Sequence, residues 1–135
     1  MKLAAITALL TTLSLAAGFG EVDIKQFEQL RAKGVPVIDI RTPQEWKQTG
    51  IIKGSHMMMF FDERGQAHAQ KWMSDLKKIT TDKNTPLIIY CAHANRTKVL
   101  GKWLTDEMGY KNVYELEGGI AYGWIDKGQT TVKAQ

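Results

Sequence analysis

The stretch "YCAHANRT", residues 90–97, contains the only cysteine of the chain, and four residues separate Cys91 from Arg96. Free cysteine is among the most buried residue types, so one interpretation is that Cys91 packs in the core. The alternative is a nucleophile. Backbone N–H groups of a short loop over residues 92–96, together with the positive end of a following helix, can form an anion-binding cradle. Such a field, reinforced by Arg96, favours thiolate over thiol and predicts a nucleophile for anionic substrates.

The segments around this loop alternate between strand and helix patterns. Short apolar runs predict strands at residues 35–40, 55–60, 87–90 and 112–116. Four helices are predicted between these strands. The first is capped by Asp23 and ended by Gly34, and the second is a short helix at "TPQEW". The third carries Ala69, Met73, Leu76 and Ile79 at helical spacing, and the fourth runs from about Arg96 to Gly109. The last helix has an apolar stripe formed by Val99, Leu100, Trp103, Leu104 and Met108.

This alternation predicts an α/β fold with a central, mostly parallel sheet and helices on both faces. Sites in such sheets gather beyond the carboxyl ends of the strands. Cys91 directly follows the apolar run at residues 87–90, so it is expected at such a strand end. Its position therefore favours the nucleophile over the core thiol.

The first twenty residues, "MKLAAITALLTTLSLAAGFG", have Lys2 followed by an uncharged apolar stretch and then small residues. This layout is typical of a secretory signal, and the stretch is shorter than the about 20 residues of a membrane span. We expect residues 1–20 to be a cleaved signal peptide, with Ala16, Gly18 and Gly20 all compatible as the last residue removed. The mature protein is then expected in a bacterial periplasm.

Composition is that of an ordinary globular chain, with 135 residues, 44% hydrophobic and 24% charged. This length is enough for one packed core, so residues 21–135 are expected to form a single domain. No second apolar run of membrane length follows the leader, which argues against stable membrane insertion. The formal net charge of +4 is too small to indicate nucleic-acid binding but is compatible with small anionic ligands.

Four segments resemble, in the same order, the single-domain rhodanese family of sulfurtransferases. "VIDIRTPQEW" is similar to its strand followed by Asp-x-Arg and a Glu-aromatic pair, and "GIIKGS" to its Gly-His-Ile-x-Gly-Ala segment. "YCAHANRT" resembles the Cys-x-x-Gly-x-Arg-Ser/Thr loop, and "GYKNVYELEGGIAYGW" the closing strand, Gly-Gly turn and tryptophan. Two positions depart from the family. Ile51 replaces a histidine and is expected to pack. Ala94 replaces the loop glycine, where a positive φ would cost alanine roughly 1 kcal/mol.

The resemblance implies a sulfurtransferase that carries sulfur as a Cys91 persulfide. Cys91 would be the catalytic residue, and the substrate would be bound by Ala92, His93, Ala94, Asn95 and Arg96. No metal and no cofactor are implied. The expected partners are a small anionic sulfur donor such as thiosulfate and an acceptor that is a thiol, cyanide or a periplasmic protein thiol. The protein is expected to be a monomer.

Two other functions remain open at this point. One is a non-catalytic sulfur carrier or partner-binding module whose cysteine accepts sulfur from another protein. The other is a phosphatase or arsenate reductase of related fold, in which five residues separate the cysteine from the arginine. The four residues between Cys91 and Arg96 form a tighter cradle, which suits a sulfur atom better than phosphate.

Several further residues carry weaker expectations. His93 is either a substrate contact or a solvated loop residue, and His56 and His68 lack the spacing of metal ligands. The four tryptophans are expected in the core, with Trp124 also a candidate to cover one side of the loop. Arg41 and Glu45 have the four-residue spacing of a helical ion pair. Asp39 and Arg41 are expected to hold strand ends and turns, and Lys98 and Lys102 to form a solvated helix stripe.

Overall fold

The computed structural model describes residues 18–135, which contain a five-stranded sheet in which every pair of neighbours is parallel. The strands are β1 (Gly18–Val22), β2 (Val37–Asp39), β3 (His56–Met57), β4 (Leu87–Tyr90) and β5 (Asn112–Leu116), in the spatial order β1-β5-β4-β2-β3. The helices are α1 (Ile24–Ala32), α2 (Pro43–Thr49), α3 (Ala69–Ile79) and α4 (Asn95–Asp106), followed by a π-helical turn (Ala121–Ile125). The predicted parallel α/β architecture is confirmed.

Each face of the sheet has its own hydrophobic core. Strand β4 shows the alternation that produces them, since Leu87 and Ile89 pack with α3 and α4 while Ile88 and Tyr90 pack with α1. All four of these side chains are fully buried. Central β-strands covered on both faces are continuous apolar runs for this reason, as "LIIY" is. The prediction of helices on both faces is confirmed.

Two helices begin where the sequence places their caps. The Asp23 carboxylate accepts a hydrogen bond from the Gln26 N–H at 2.8 Å, and the Gln26 side chain bonds back to the Asp23 N–H. Thr42 and Glu45 form the same reciprocal arrangement at the start of α2, with Pro43 in the first turn. Each capping box satisfies N–H groups that the helix itself leaves without partners.

Strand β1 has no counterpart in the sequence-based prediction. It pairs with β5 at the edge of the sheet, from Gly18 opposite Asn112 to Val22 opposite Leu116. The ring of Phe19 lies so close to α4 that a Cβ added to Gly101 would be 2.1 Å from it. Residues 18–20, assigned from sequence to the end of the leader, therefore belong to the sheet. The remainder of the predicted signal peptide lies outside the described residues.

Two details of the prediction are wrong. Val99 is 60% exposed, because Leu100 and Leu104 are the α4 residues that face the sheet. The strand predicted at residues 55–60 is regular only at His56–Met57, although the N–H groups of Met58 and Phe60 still bond to carbonyls at the end of β2. No helix among residues 18–135 is both long enough and apolar enough to cross a membrane.

Candidate active site

Cys91 lies directly after β4, at the carboxyl end of a strand flanked by β5 and β2. The residue is 1% exposed and belongs to the core cluster on the α3 and α4 face. Both interpretations of this cysteine are therefore compatible with the structure, because the thiol is buried and also lies at the strand end where sites form. Chemistry at such a sulfur therefore favours small reactants.

The loop after Cys91 is held by its carbonyl groups. The carbonyl oxygens of Cys91 and Ala92 accept hydrogen bonds from the N–H groups of Ile120 and Ala121, at 2.9 and 3.0 Å. By contrast, within residues 18–135 no backbone N–H group of residues 92–96 has a protein acceptor. Helix α4 begins at Asn95, so the positive end of its dipole adds to these N–H groups. These N–H groups are therefore available for an anionic ligand, and the anion cradle stays a prediction.

Gly119 allows the loop to approach the turn after β5 closely. Its φ is +66°, and an added Cβ would lie 2.4 Å from the Ala92 oxygen and 2.6 Å from the Cys91 oxygen. A side chain at this position would displace the loop. The Gly-Gly turn recognised in the sequence is thus a packing requirement of the cysteine loop.

Ala94 adopts a left-handed conformation, with φ 63° and ψ 17°, directly before α4. It is the only residue other than glycine with positive φ in the described part of the chain. The position that is glycine in the family therefore does need positive φ here. Alanine bears this conformation at a cost of roughly 1 kcal/mol, and its methyl group is buried.

Arg96 forms a two-pronged ion pair with Glu45 of α2. Its Nη1 and Nη2 atoms donate to Glu45 Oε2 and Oε1 at 2.8 and 2.7 Å. Partial burial opposes ionisation of Glu45, but hydrogen bonds from Arg96 and from the Thr42 N–H outweigh it and lower the pKa of Glu45 to about 2. Glu45 in turn raises the pKa of Arg96, with a smaller contribution from the nearby Cys91 sulfur.

The pair that helical spacing suggests between Arg41 and Glu45 does not form. Arg41 precedes α2 and instead bonds to Asp39, with Nη2 2.7 Å from Oδ2, and both side chains are almost completely buried. Arg41 also donates to the Gly50 carbonyl and the Thr49 hydroxyl. It therefore fastens the end of β2 to the end of α2, as expected of Asp39 and Arg41 from sequence.

Sequence reasoning missed two residues beside the sulfur, Thr97 and Glu115. The Thr97 hydroxyl oxygen lies 3.6 Å from Cys91 Sγ and donates to Glu115 Oε2 at 2.5 Å. Lys98 and Lys102 are both exposed, as expected, but Lys98 also donates to the other oxygen of Glu115 at 2.6 Å. The available signal was an acid in the apolar strand "NVYEL", two positions from Val113 and therefore on the same face.

Aromatic side chains border the loop on its outer side. The exposed His93 ring lies 4.6 Å from the Tyr122 ring, measured between centroids, and Asn95 is also exposed. Trp124 does not cover the loop, since it packs against Phe27 in the α1 core with ring centroids 5.3 Å apart. Of the other tryptophans, Trp72 is buried, while Trp46 and Trp103 are partly exposed. Ile51 is buried as expected.

The remaining histidines are separate from this site. His68 Nε2 lies 2.9 Å from the Asp62 carboxylate, and His56 is exposed on β3. Over the described range 18–135, no three or more His, Cys, Asp or Glu side chains are grouped so as to hold a metal ion.

Comparison with known proteins identifies the class. Residues 23–126 match the family described as Rhodanese-like domain, and the chain belongs to this family. It is 31% identical, over 102 residues, to the thiosulfate sulfurtransferase GlpE of Ectopseudomonas mendocina, which covers 76% of this chain and 82% of that protein.

Solved structures agree with the fold. The polysulfide-sulfur transferase homodimer of Wolinella succinogenes has a TM-score of 0.63 at 24% identity, covering 87% of this chain and 80% of that one. A Rhodopseudomonas palustris protein described as a possible tyrosine phosphatase has a TM-score of 0.55 at 26% identity, covering 79% and 77%. The fold is therefore shared among proteins with different descriptions, and the site must distinguish between their chemistries.

Proposed function

We propose that the protein is a sulfurtransferase that moves a sulfane sulfur from thiosulfate, or a similar anionic donor, to a thiophilic acceptor through a Cys91 persulfide. The observation that carries the proposal is the position of Cys91 at a strand end, under a loop whose N–H groups at residues 92–96 lack protein acceptors. The likeness to proteins named thiosulfate sulfurtransferase supports the choice of donor.

The reaction has two displacements. The Cys91 thiolate attacks the outer sulfur of thiosulfate, the bond between the two donor sulfurs breaks, and sulfite leaves with the electron pair. The terminal sulfur of the resulting persulfide carries negative charge, which the N–H groups of residues 92–96 and the start of α4 stabilise. A nucleophilic acceptor such as cyanide then attacks that sulfur, thiocyanate leaves, and the Cys91 thiolate is restored.

Arg96 has two parts in this proposal. Its pairing with Glu45 fixes the end of the loop against α2, at 2.7 and 2.8 Å. Each of its terminal nitrogens has a second N–H group, so the guanidinium retains donors for the oxygens of an anionic substrate. A partly exposed position, with 28% of its side chain accessible, allows such contact.

Access to the sulfur argues for sulfur transfer over phosphate transfer. Cys91 is 1% exposed and the cradle from Cys91 to Arg96 is short, so a single terminal sulfur fits it better than a tetrahedral phosphate. Inserting a glycine between Ala94 and Asn95 would lengthen the cradle to the phosphatase pattern, and it should weaken persulfide formation.

The decisive experiment treats the full-length domain with thiosulfate in the absence of an acceptor. Intact-mass measurement should show one added sulfur atom on Cys91, and subsequent addition of cyanide should release thiocyanate. The Cys91→Ser variant is the matched control and should remain unmodified. An unmodified wild-type protein that hydrolyses an activated phosphate ester would overturn the proposal. A persulfide formed without turnover would instead indicate the carrier function.

We also propose that the protein is exported, as its leader-like first residues suggest, and that processing spares Phe19, because this residue pairs with β5 and packs against Gly101. Removal of residues through Gly20 would take away that contact. The intact mass of protein from a periplasmic fraction tests this, and a mature chain beginning at Glu21 or an unprocessed chain held in the membrane would contradict it.

A further inference from the structure

A buried carboxylate lies beneath the cysteine loop. Glu115 is in β5 and alternates with Tyr114 and Leu116, so it points with Val113 toward the α4 face. Its side chain is 1% exposed. A charged group so deeply buried needs partners, and those of Glu115 both come from the first turn of α4.

These partners connect Glu115 to both sides of the loop. One oxygen accepts the Thr97 hydroxyl at 2.5 Å, and that hydroxyl oxygen is 3.6 Å from Cys91 Sγ. The other oxygen accepts Lys98 Nζ at 2.6 Å, and Lys98 also donates to the Ala94 carbonyl at 3.2 Å. The carboxylate thus reaches the sulfur through one residue and the strained loop position through another.

The hydroxyl of Thr97 has a single proton to donate. A hydrogen bond to a carboxylate is stronger than one to a neutral acceptor, so this proton stays with Glu115. The Thr97 oxygen can then only accept a hydrogen bond from the Cys91 S–H. A thiolate has no proton to offer, and it would face a lone pair of Thr97 with the negative charge of Glu115 behind it. This arrangement favours the thiol over the thiolate.

We propose that Glu115 is a positioning residue that acts on Cys91 through Thr97, keeping the resting sulfur protonated and opposing the loop N–H groups and Arg96, which favour the thiolate. The inference deepens the proposed function, because it concerns the same cysteine. Its consequence is a less reactive resting thiol.

Other charged groups also surround the loop. The charged and titratable groups on the loop and on the elements around it are Arg96 with Glu45 of α2, Arg41 with Asp39 at the end of β2, Lys98 with Glu21 of β1, and His93. The first two form close ion pairs that a change at Glu115 leaves intact. Lys98 loses its partner when Glu115 is neutralised, so the effect of Glu115→Gln includes that of the freed Lys98 charge, and the Thr97 variants are needed to separate the two.

The test is the rate of Cys91 alkylation by iodoacetamide, a small neutral reagent, across a pH series on the full-length domain. This readout needs no sulfur donor, so it remains valid whatever the outcome of the thiosulfate experiment. Glu115→Gln should lower the midpoint pH of alkylation by about one unit. Glu117→Gln, which removes an exposed charge just beyond the end of the same strand, is the control and should leave the midpoint unchanged.

Thr97 provides the second arm. If its proton belongs to Glu115, Thr97→Val removes an acceptor of the S–H and lowers the midpoint, while Thr97→Ser keeps it. If instead Thr97 donates to the thiolate, Thr97→Val raises the midpoint, and the proposal is overturned.

An unchanged midpoint in a folded Glu115→Gln variant also overturns the proposal. A Glu115→Gln shift that persists undiminished in the Thr97→Val background would contradict action through Thr97. Should Glu115→Gln fail to fold, the direction of the Thr97→Val shift decides alone.

Discussion

Two carboxylates flank the Cys91 loop, and the protein holds them in different ways. Glu45, on the outer side, has 27% of its side chain exposed and is met by the rigid fork of Arg96. Glu115, on the inner side, is 1% exposed and shares its oxygens between a lysine and a hydroxyl that faces the sulfur. The fork engages both oxygens of Glu45 and fixes geometry. The Thr97 hydroxyl contacts both Glu115 and Cys91, so the inner carboxylate is the one placed to influence the reactivity of the thiol.

The largest effect is expected where the two regions meet. Cys91→Ser should reduce sulfur transfer to the background rate, because the nucleophile itself is lost while its replacement is nearly isosteric. Its thermal unfolding midpoint should stay within a few degrees of wild type, as expected for a stability change of about 1 kcal/mol. Turnover with thiosulfate and cyanide and a thermal melt measure the two quantities. Wild-type activity in this variant would refute the mechanism.

The outer region is tested by Arg96→Ala. Turnover of an anionic donor should fall on the order of 100-fold, whereas alkylation of Cys91 by a neutral reagent should fall much less, since the loop N–H groups and the start of α4 remain. Arg96→Lys is the matched variant, which keeps the charge but loses the fork to Glu45. Equal losses in both assays would show that Arg96 mainly holds the loop together.

The stability of the protein at low pH provides a further test of the outer carboxylate, Glu45. The pKa of Glu45 is lowered from 4.5 to about 2 in the folded protein, so its stabilising effect is present above pH 4.5 and is lost as the pH falls toward 2. Glu45→Gln should therefore flatten the dependence of unfolding free energy on pH across that window. Denaturant titrations at several pH values measure it. Because the pair is partly exposed, added salt should reduce the difference, and a wild-type slope in Glu45→Gln would contradict this origin.

The smallest effect is expected at Ala94, where opposing contributions nearly cancel. Glycine relieves roughly 1 kcal/mol of left-handed strain, but it loses a buried methyl group and increases the freedom of the unfolded chain. Ala94→Gly should therefore change the unfolding free energy by less than about 1 kcal/mol. Ala94→Val should destabilise clearly more, because a β-branched residue tolerates positive φ poorly. Equal stability of the two variants would contradict the assigned strain.

Local sequence patterns predicted those parts of the fold that depend on neighbouring residues. The caps at Asp23 and Thr42 and the buried strand before Cys91 follow from a few adjacent residues. The left-handed conformation of Ala94 was raised only by the glycine that the family has at this position. The candidate site could be located from the sequence in the same way, because Cys91 and residues 92–96 are contiguous. Val99 shows the limit of such patterns. The apolar stripe predicted on α4 included Val99, which is exposed, and only the position of the sheet reveals which residues of the helix are buried.

The missed features depend on tertiary structure. Segment 18–22, "GFGEV", has two glycines and little strand character, and only its pairing with β5 makes it a strand. The role of Glu115 depends on side chains from α4, which no spacing within "NVYEL" reveals. The ion pair between Glu45 and Arg96 likewise joins segments that are distant in the sequence. Four-residue spacing had suggested a pair between Glu45 and Arg41, but Arg41 pairs with Asp39.

The pairing of β1 with β5 also sets an order of assembly. The first described strand finds its only sheet neighbour almost at the other end of the domain, so this contact closes a loop spanning nearly the whole chain. Such contacts carry a large chain-closure entropy and form late in folding. During synthesis, residues 18–22 must wait, unpaired and accessible, until residues 112–116 have emerged. The N-terminal edge of the sheet is therefore the last to be completed.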